Sequence, residues 1–232
     1  IFLAFLFSLI PLFFTFHSAQ AESENPQSPP TPDHAISSTQ IDATTAGLHD
    51  VDTAGCNGEV FPAQNAEFEE TLIALVNEVR VEHNLPPLKS SEDLNDAARY
   101  HARDMAEEDY FEHHSYDRVN GELVMACAWN VRIKAYYGDY TRLGENIARG
   151  YPTPESVFQG WMDSEGHRDN ILHAEYREIG LGQYNTYWSQ VFGEMEAVYP
   201  VVINQDLPET ESQNINVYTY GEWDRVRLRN DG

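Results

Sequence analysis

Four short segments carry most of the side chains with chemistry in them: FEHHS at residues 111–115, LGENIARGY at 143–151, WMDSEGHRDNIL at 161–172 and TYWSQVFG at 186–193. Between them they offer imidazoles at His113 and His167 and a carboxylate at Glu145, with Asp163, Ser164 and Glu165 just before the second imidazole. Two imidazoles and one carboxylate are a common ligand set for zinc, with a fourth position left for water or substrate. Without a metal, a carboxylate beside an imidazole raises the histidine pKa and makes a general acid/base pair. The residues themselves leave both chemistries open.

Plainer roles exist for each group. His167, next to the start of a short helix, is placed to hydrogen-bond backbone groups, and Glu145 in its Gly-Glu-Asn stretch to cap a turn. His114 reads as an exposed neighbour of His113, and His101 as a core histidine on the apolar face of its helix. Arg168 reads as an ion-pair partner or backbone clamp, and Trp161, Trp188 and Phe192 as core. The chain contains no G-x-S-x-G, H-E-x-x-H or P-loop pattern, so the common hydrolase and nucleotide-site signatures give no support.

The elements that must position these groups are legible from periodicity. Phe68, Leu72, Leu75, Val76 and Val79 recur at helical spacing and predict an amphipathic helix ending before Asn84. A second helix starts from about Ser91, with Leu94, Ala97, Ala98, His101 and Met105 on one face. The stretch HHSYDRVNGELVMACAWN reads as a long irregular connection with a turn at Asn120-Gly121. Thr153-Pro154-Glu155 is a helix start, and a shorter helix is expected from Ser164 through Leu172. REIGLGQY and TYWSQVFG predict a hairpin turning at Asn185-Thr186, and VYPVVIN and INVYTYG two further strands.

Residues 1–21 form an apolar run ending in Ala19-Gln20-Ala21, the pattern of a signal peptide, which predicts a secreted, extracellular protein. The run lacks an initiator methionine and the usual positive start, so the true beginning is expected to be missing. Residues 22–60 contain Pro, Ser, Thr, Asp and Ala in abundance and predict a disordered linker. The folded domain is expected over 61–195. Residues 196–232 read as a β-strand extension, truncated because Asp231-Gly232 is a hairpin turn with no returning strand.

The formal charge is −24, with Lys89 and Lys134 the only lysines. Such a chain repels nucleic acid and anionic membrane surfaces, and no segment after the leader is apolar enough to span a bilayer. Cys56 and Cys127 are the only cysteines; in an exported chain an even pair predicts a disulfide rather than free thiols or a metal site.

The four segments, in this order and behind a leader, resemble the CAP superfamily of cysteine-rich secretory, antigen and pathogenesis-related proteins (the SCP domain), in its bacterial form. The resemblance runs from about Phe68 to Gly193. It implies an α+β fold, a three-layer α-β-α sandwich around an antiparallel sheet, with a cleft holding two histidines and two acids. The family's motifs fall on His113, Glu145 and His167. Where animal and plant members carry a second histidine this chain has Tyr187, and where they carry the second acid it has Ser164, flanked by Asp163 and Glu165.

The expectation is a secreted protein whose cleft binds a divalent metal such as zinc, through His113, Glu145 and His167, or a small apolar or amphiphilic ligand or cell-surface partner. Similar proteins are linked to lipid or sterol binding, host or cell-wall interactions and proteolysis. Two alternatives remain: a metal-assisted peptidase or esterase, and a structural or adhesive surface module.

Overall fold

The computed structural model describes residues 34–38, 56, 58–196, 198–209 and 214–221. The expected signal peptide and the terminal RLRNDG lie outside the described residues. In chain order the elements are β1 (His34–Ser38), α1 (Ala66–Glu82), β2 (Lys89–Ser90), α2 (Glu92–Glu107), β3 (Ser115–Val119), β4 (Glu122–Cys127), α3 (Trp129–Tyr137), β5 (Arg142–Arg149), α4 (Pro154–Asp163), α5 (Glu165–Ile171), β6 (Glu178–Tyr184), β7 (Tyr187–Glu194), β8 (Val201–Ile203) and β9 (Val217–Thr219).

Five strands form the central sheet in the order β1-β5-β7-β6-β2. All neighbours pair antiparallel except β2, which joins β6 in parallel at one edge. Strand alternation sends successive side chains to opposite faces. Ile179, Leu181, Trp188 and Phe192 meet α1, α4 and α5 in the larger core, around the buried Trp161 and Leu72. Leu143 and Val191 meet α2 and α3 through Leu94, Ala98, Trp129 and Ile133. The result is the three-layer α-β-α sandwich expected, and truncating a core residue such as Trp161 to alanine costs about 3–5 kcal/mol in this kind of packing.

Two glycines of β6 explain how closely α2 lies on the sheet. A Cβ at Gly180 would collide with the Leu94 backbone, and one at Gly182 with that of Ala98. Helix starts follow the expected chemistry. The Asn65 side chain accepts from the Phe68 N–H at α1, and Thr153 and Ser156 form a reciprocal cap at α4, with Pro154 in the first turn. The β6–β7 hairpin turns at Asn185, whose φ is 55°, a conformation asparagine tolerates.

Two expectations change. The segment read as an irregular connection is a hairpin, β3–β4, followed by α3; alternation is weak there because Leu123, Val124 and Met125 are all exposed. The segment read wholly as linker contains β1, which pairs with β5 over His34–Ser38. An edge strand with free N–H and C=O groups accepts an extended segment of almost any composition. The two further strands expected in VYPVVIN and INVYTYG are present as β8 and β9, which form a small separate antiparallel pair that Asp206 ties to the body through Lys89 Nζ at 2.7 Å and the Ser90 N–H at 2.6 Å. Cys56 and Cys127 are joined as a disulfide, their Cα atoms 6.2 Å apart.

Candidate functional site

The alternation of β5 decides which groups meet. Leu143, Glu145 and Ile147 face the α2/α3 layer, whereas Gly144 and Asn146 face α4/α5. Glu145 therefore enters a pocket of buried polar groups beneath α2 and α3. Its Oε1 is 2.8 Å from His113 Nδ1 and 4.0 Å from His101 Nε2. Its Oε2 accepts a hydrogen bond from Arg132 Nη2 and lies 3.5 Å from Ser189 Oγ. Arg132 Nη1 also donates to the His113 carbonyl at 2.8 Å and to Ser115 Oγ at 3.2 Å. Glu145, Arg132 and His101 are fully buried, and His113 is 6% exposed.

A carboxylate so deeply buried would by itself become harder to ionise. Burial does push Glu145 up, but the attraction of Arg132, with His101 and the His113 hydrogen bond, outweighs it and holds the carboxyl down at about 2. Arg132 is the dominant partner, because His101 is uncharged at neutral pH: burial, reinforced by Arg132, holds its pKa well below 6.5. Neither ring nitrogen of His101 has a well-formed hydrogen bond, although the Glu112 backbone acts on the ring. Asp104, one turn along α2, accepts from the Tyr110 hydroxyl, and burial pushes its carboxyl up to about 6.

His167 approaches from the other face. It is 1% exposed, and its Nδ1 lies 2.8 Å from Ser164 Oγ. Its backbone carbonyl accepts from Asn146 Nδ2 at 3.2 Å, and Asn170 donates to Asn146 Oδ1 at 2.9 Å and to the Glu145 carbonyl at 3.3 Å. Arg80 holds the end of α5, donating to the carbonyls of Ile171 at 2.8 Å and His173 at 2.9 Å. Arg168 clamps the Met162 carbonyl at 2.7 Å, as expected of a backbone clamp.

The sequence-predicted site thus divides. His113 and Glu145 are joined directly, and His167 connects to the same strand through Asn146 and Asn170. Of the three candidates for the fourth group, Ser164 is the one beside His167; Asp163 and Glu165 are exposed, Asp163 bonding Gln159 Nε2 at 2.8 Å. His114 is half-buried rather than exposed, and its Nδ1 accepts the Trp129 N–H at 3.2 Å at the start of α3. Sequence reasoning missed Arg132 altogether. Its signal was the helical spacing of Trp129, Arg132, Ile133 and Tyr136 inside a stretch read as irregular.

The donor set does not fit a resident zinc ion. Among the described residues no group of three or more His, Cys, Asp or Glu is disposed to hold a metal. Both oxygens of Glu145 are engaged, one by a guanidinium whose charge opposes a nearby dication. No helix among the described residues is long and apolar enough to cross a membrane.

Comparison with known proteins agrees with the geometry. The Cysteine-rich secretory protein family (CAP) profile matches residues 73–193. The chain is 35% identical over 133 residues to the uncharacterized protein YkwD of Bacillus subtilis, covering 56% of this chain and 49% of that one. It is 33% identical over 124 residues to the uncharacterized membrane protein YlbC of the same organism, covering 53% and 34%. The chain therefore spans half or less of the curated relatives it matches. A 1.5 Å crystal structure of an extracellular SCP-domain protein from Bacillus anthracis superposes with a TM-score of 0.50 at 30% identity, covering 55% of this chain and 40% of that one. An outer surface protein of Borrelia burgdorferi shares the fold, with a TM-score of 0.50 at 20% identity, covering 60% of this chain and 100% of that one. With its profile matched across more than half of the residues and its sandwich shared with a solved SCP-domain protein, the chain belongs to the cysteine-rich secretory protein (CAP) family.

Proposed function

We propose that this CAP domain acts outside the cytoplasm as a binding module, taking a small apolar or amphiphilic ligand near His113 without turning it over. The observation that carries this reading is the state of Glu145. A general base must be poised near the working pH and free to take a proton. Glu145 is fully buried, held at about 2, and bonded through both oxygens. Its role is to fix the His113 ring and oppose the charge of Arg132. The extracellular assignment rests on the leader-like residues 1–21 and on the similarity to an extracellular SCP-domain protein.

The test pairs binding with turnover. A panel of fluorescent fatty-acid and neutral sterol analogues is titrated into wild type and His113→Ala, with loss of at least tenfold in affinity expected in the variant. Peptide and ester substrates are then offered to wild type and Glu145→Gln, each with zinc and with chelator, and no turnover is expected. Zinc calorimetry is expected to show no site that depends on His113. Zinc-dependent hydrolysis abolished in Glu145→Gln would overturn the binding reading in favour of a metal-assisted hydrolase.

A further inference from the structure

We propose that the outer edge of β5, from Leu143 to Ile147, is a slot for an extended peptide segment of another protein, and that residues 34–38 of this chain occupy it as an internal, displaceable ligand. Among the described residues β1 is the outermost strand of the sheet, with β5 as its one strand neighbour. The pairing is antiparallel over five positions, with Ile36 opposite Glu145 and Ala35 opposite Asn146. Helix α5 packs against β1 as well, so the edge of β5 is walled on one side.

The slot has to be filled. On its inner side β5 is paired with β7 over eight positions, from Arg142–Glu194 to Arg149–Tyr187, and residues 143–148 are all buried. Without an occupant its outward N–H and C=O groups would lie unpaired along an open edge, which native structures avoid. The occupant, however, is small. HAISS has one large aliphatic residue, and seventeen residues, 39–55, separate it from Cys56, where the disulfide fastens the chain to the body. Seventeen intervening residues make its pairing with β5 a closure whose entropic cost grows with loop length. Five ladder positions held that way are within reach of a competitor.

Strand addition draws affinity from main-chain hydrogen bonds and selectivity from alternate side chains. The fitting partner is therefore an extended segment with small or hydroxylated residues and an aliphatic residue at the position opposite Glu145. It is neutral or basic, because a chain carrying −24 repels acidic peptides. The proposal concerns the backbone edge of β5 and is independent of what the site near His113 binds.

The test uses the full chain with Ile36→Pro and Ser37→Pro together. In an antiparallel ladder alternate residues give their N–H to the partner, so prolines at two adjacent positions remove at least one ladder donor. The probe is a fluorescein-labelled synthetic peptide with the sequence of residues 32–40, followed by fluorescence anisotropy. The double variant is expected to bind it at least fivefold more tightly than wild type. Equal affinity, or no binding to a variant whose melting matches wild type, overturns the proposal. Hydrogen exchange on the unaltered chain provides the second reading: residues 34–38 should exchange faster than β7, and faster still with excess probe. Protection of 34–38 equal to that of β7 and unmoved by probe makes β1 an integral strand and overturns it too. Concentration-dependent dimers of wild type that the prolines abolish would assign the slot to a second copy and overturn the foreign partner.

Discussion

Replacing Arg132 by methionine isolates the electrostatics of the site, because the two side chains are similar in length and only one carries charge. Arg132 and Glu145 are both fully buried, and removing one member of such a pair strands the other charge, at a cost of about 3–5 kcal/mol. The carboxyl gives an independent figure. Its displacement from the ordinary 4.5 to about 2 is worth about 3 kcal/mol of folding free energy at neutral pH. That contribution is complete above pH 4.5 and is lost as pH falls towards 2. In Arg132→Met burial acts with its main opponent gone, so the folded pKa rises above 4.5 and the sign inverts. Stability from Glu145 is then present at low pH and lost as pH rises. The assay is urea unfolding of both proteins at pH 7 and pH 4.5, read as the difference between them so that other titrating groups cancel. The deficit of the variant should be about 3–5 kcal/mol at pH 7, near 10 °C in Tm, and visibly smaller at pH 4.5. Arg132→Met with Glu145→Gln should recover most of it. A deficit below about 1 kcal/mol at pH 7, or one that does not change with pH, would refute the claim that Arg132 neutralises Glu145.

Two further outcomes are expected. Reduction of the Cys56–Cys127 bridge should lower stability by about 2–5 kcal/mol, less if the core compensates; mass spectrometry after alkylation, with and without reductant, and melting of both forms check it. Because burial raises the Asp104 carboxyl to about 6, its contribution to stability is present below pH 3.8 and is lost as pH rises through 6. Asp104→Asn should therefore flatten the stability profile between those values, and NMR titration of the wild-type carboxyl should give an inflection near 6.

Elements with one clear period were legible in the chain alone. The faces of α1 and α2, the cap of α4 and the β6–β7 hairpin all follow from local spacing and local hydrogen bonding, and the structure has them where they were expected. The meeting of His113 with Glu145 was legible through motif order. Arg132 was not, since the helical spacing of Trp129, Arg132 and Ile133 marks it only as facing inward, and it acquires its meaning from a carboxylate on a distant strand. His101 was read correctly as buried, but that reading hid its position beside Glu145. The strand at His34–Ser38 was illegible for a different reason: its pairing is dictated by the open edge of β5, over a hundred residues away, and not by its own composition.

The order of strands also sets an order of events during synthesis. The helices that cover the sheet, α1 and α2, emerge first, whereas three of the strands they lie on come from residues 142–194. Until Gly193 has emerged, Leu72 and Val76 of α1 and Leu94 and Ala98 of α2 have no sheet to cover, and the long-range β5–β7 pairing has yet to close. Both cysteines lie ahead of those strands, so the Cys56–Cys127 link is available before the sheet is. A chain delivered in this direction thus passes through a sticky, half-covered stage, and a covalent loop closed during that stage restricts the ways in which it goes wrong.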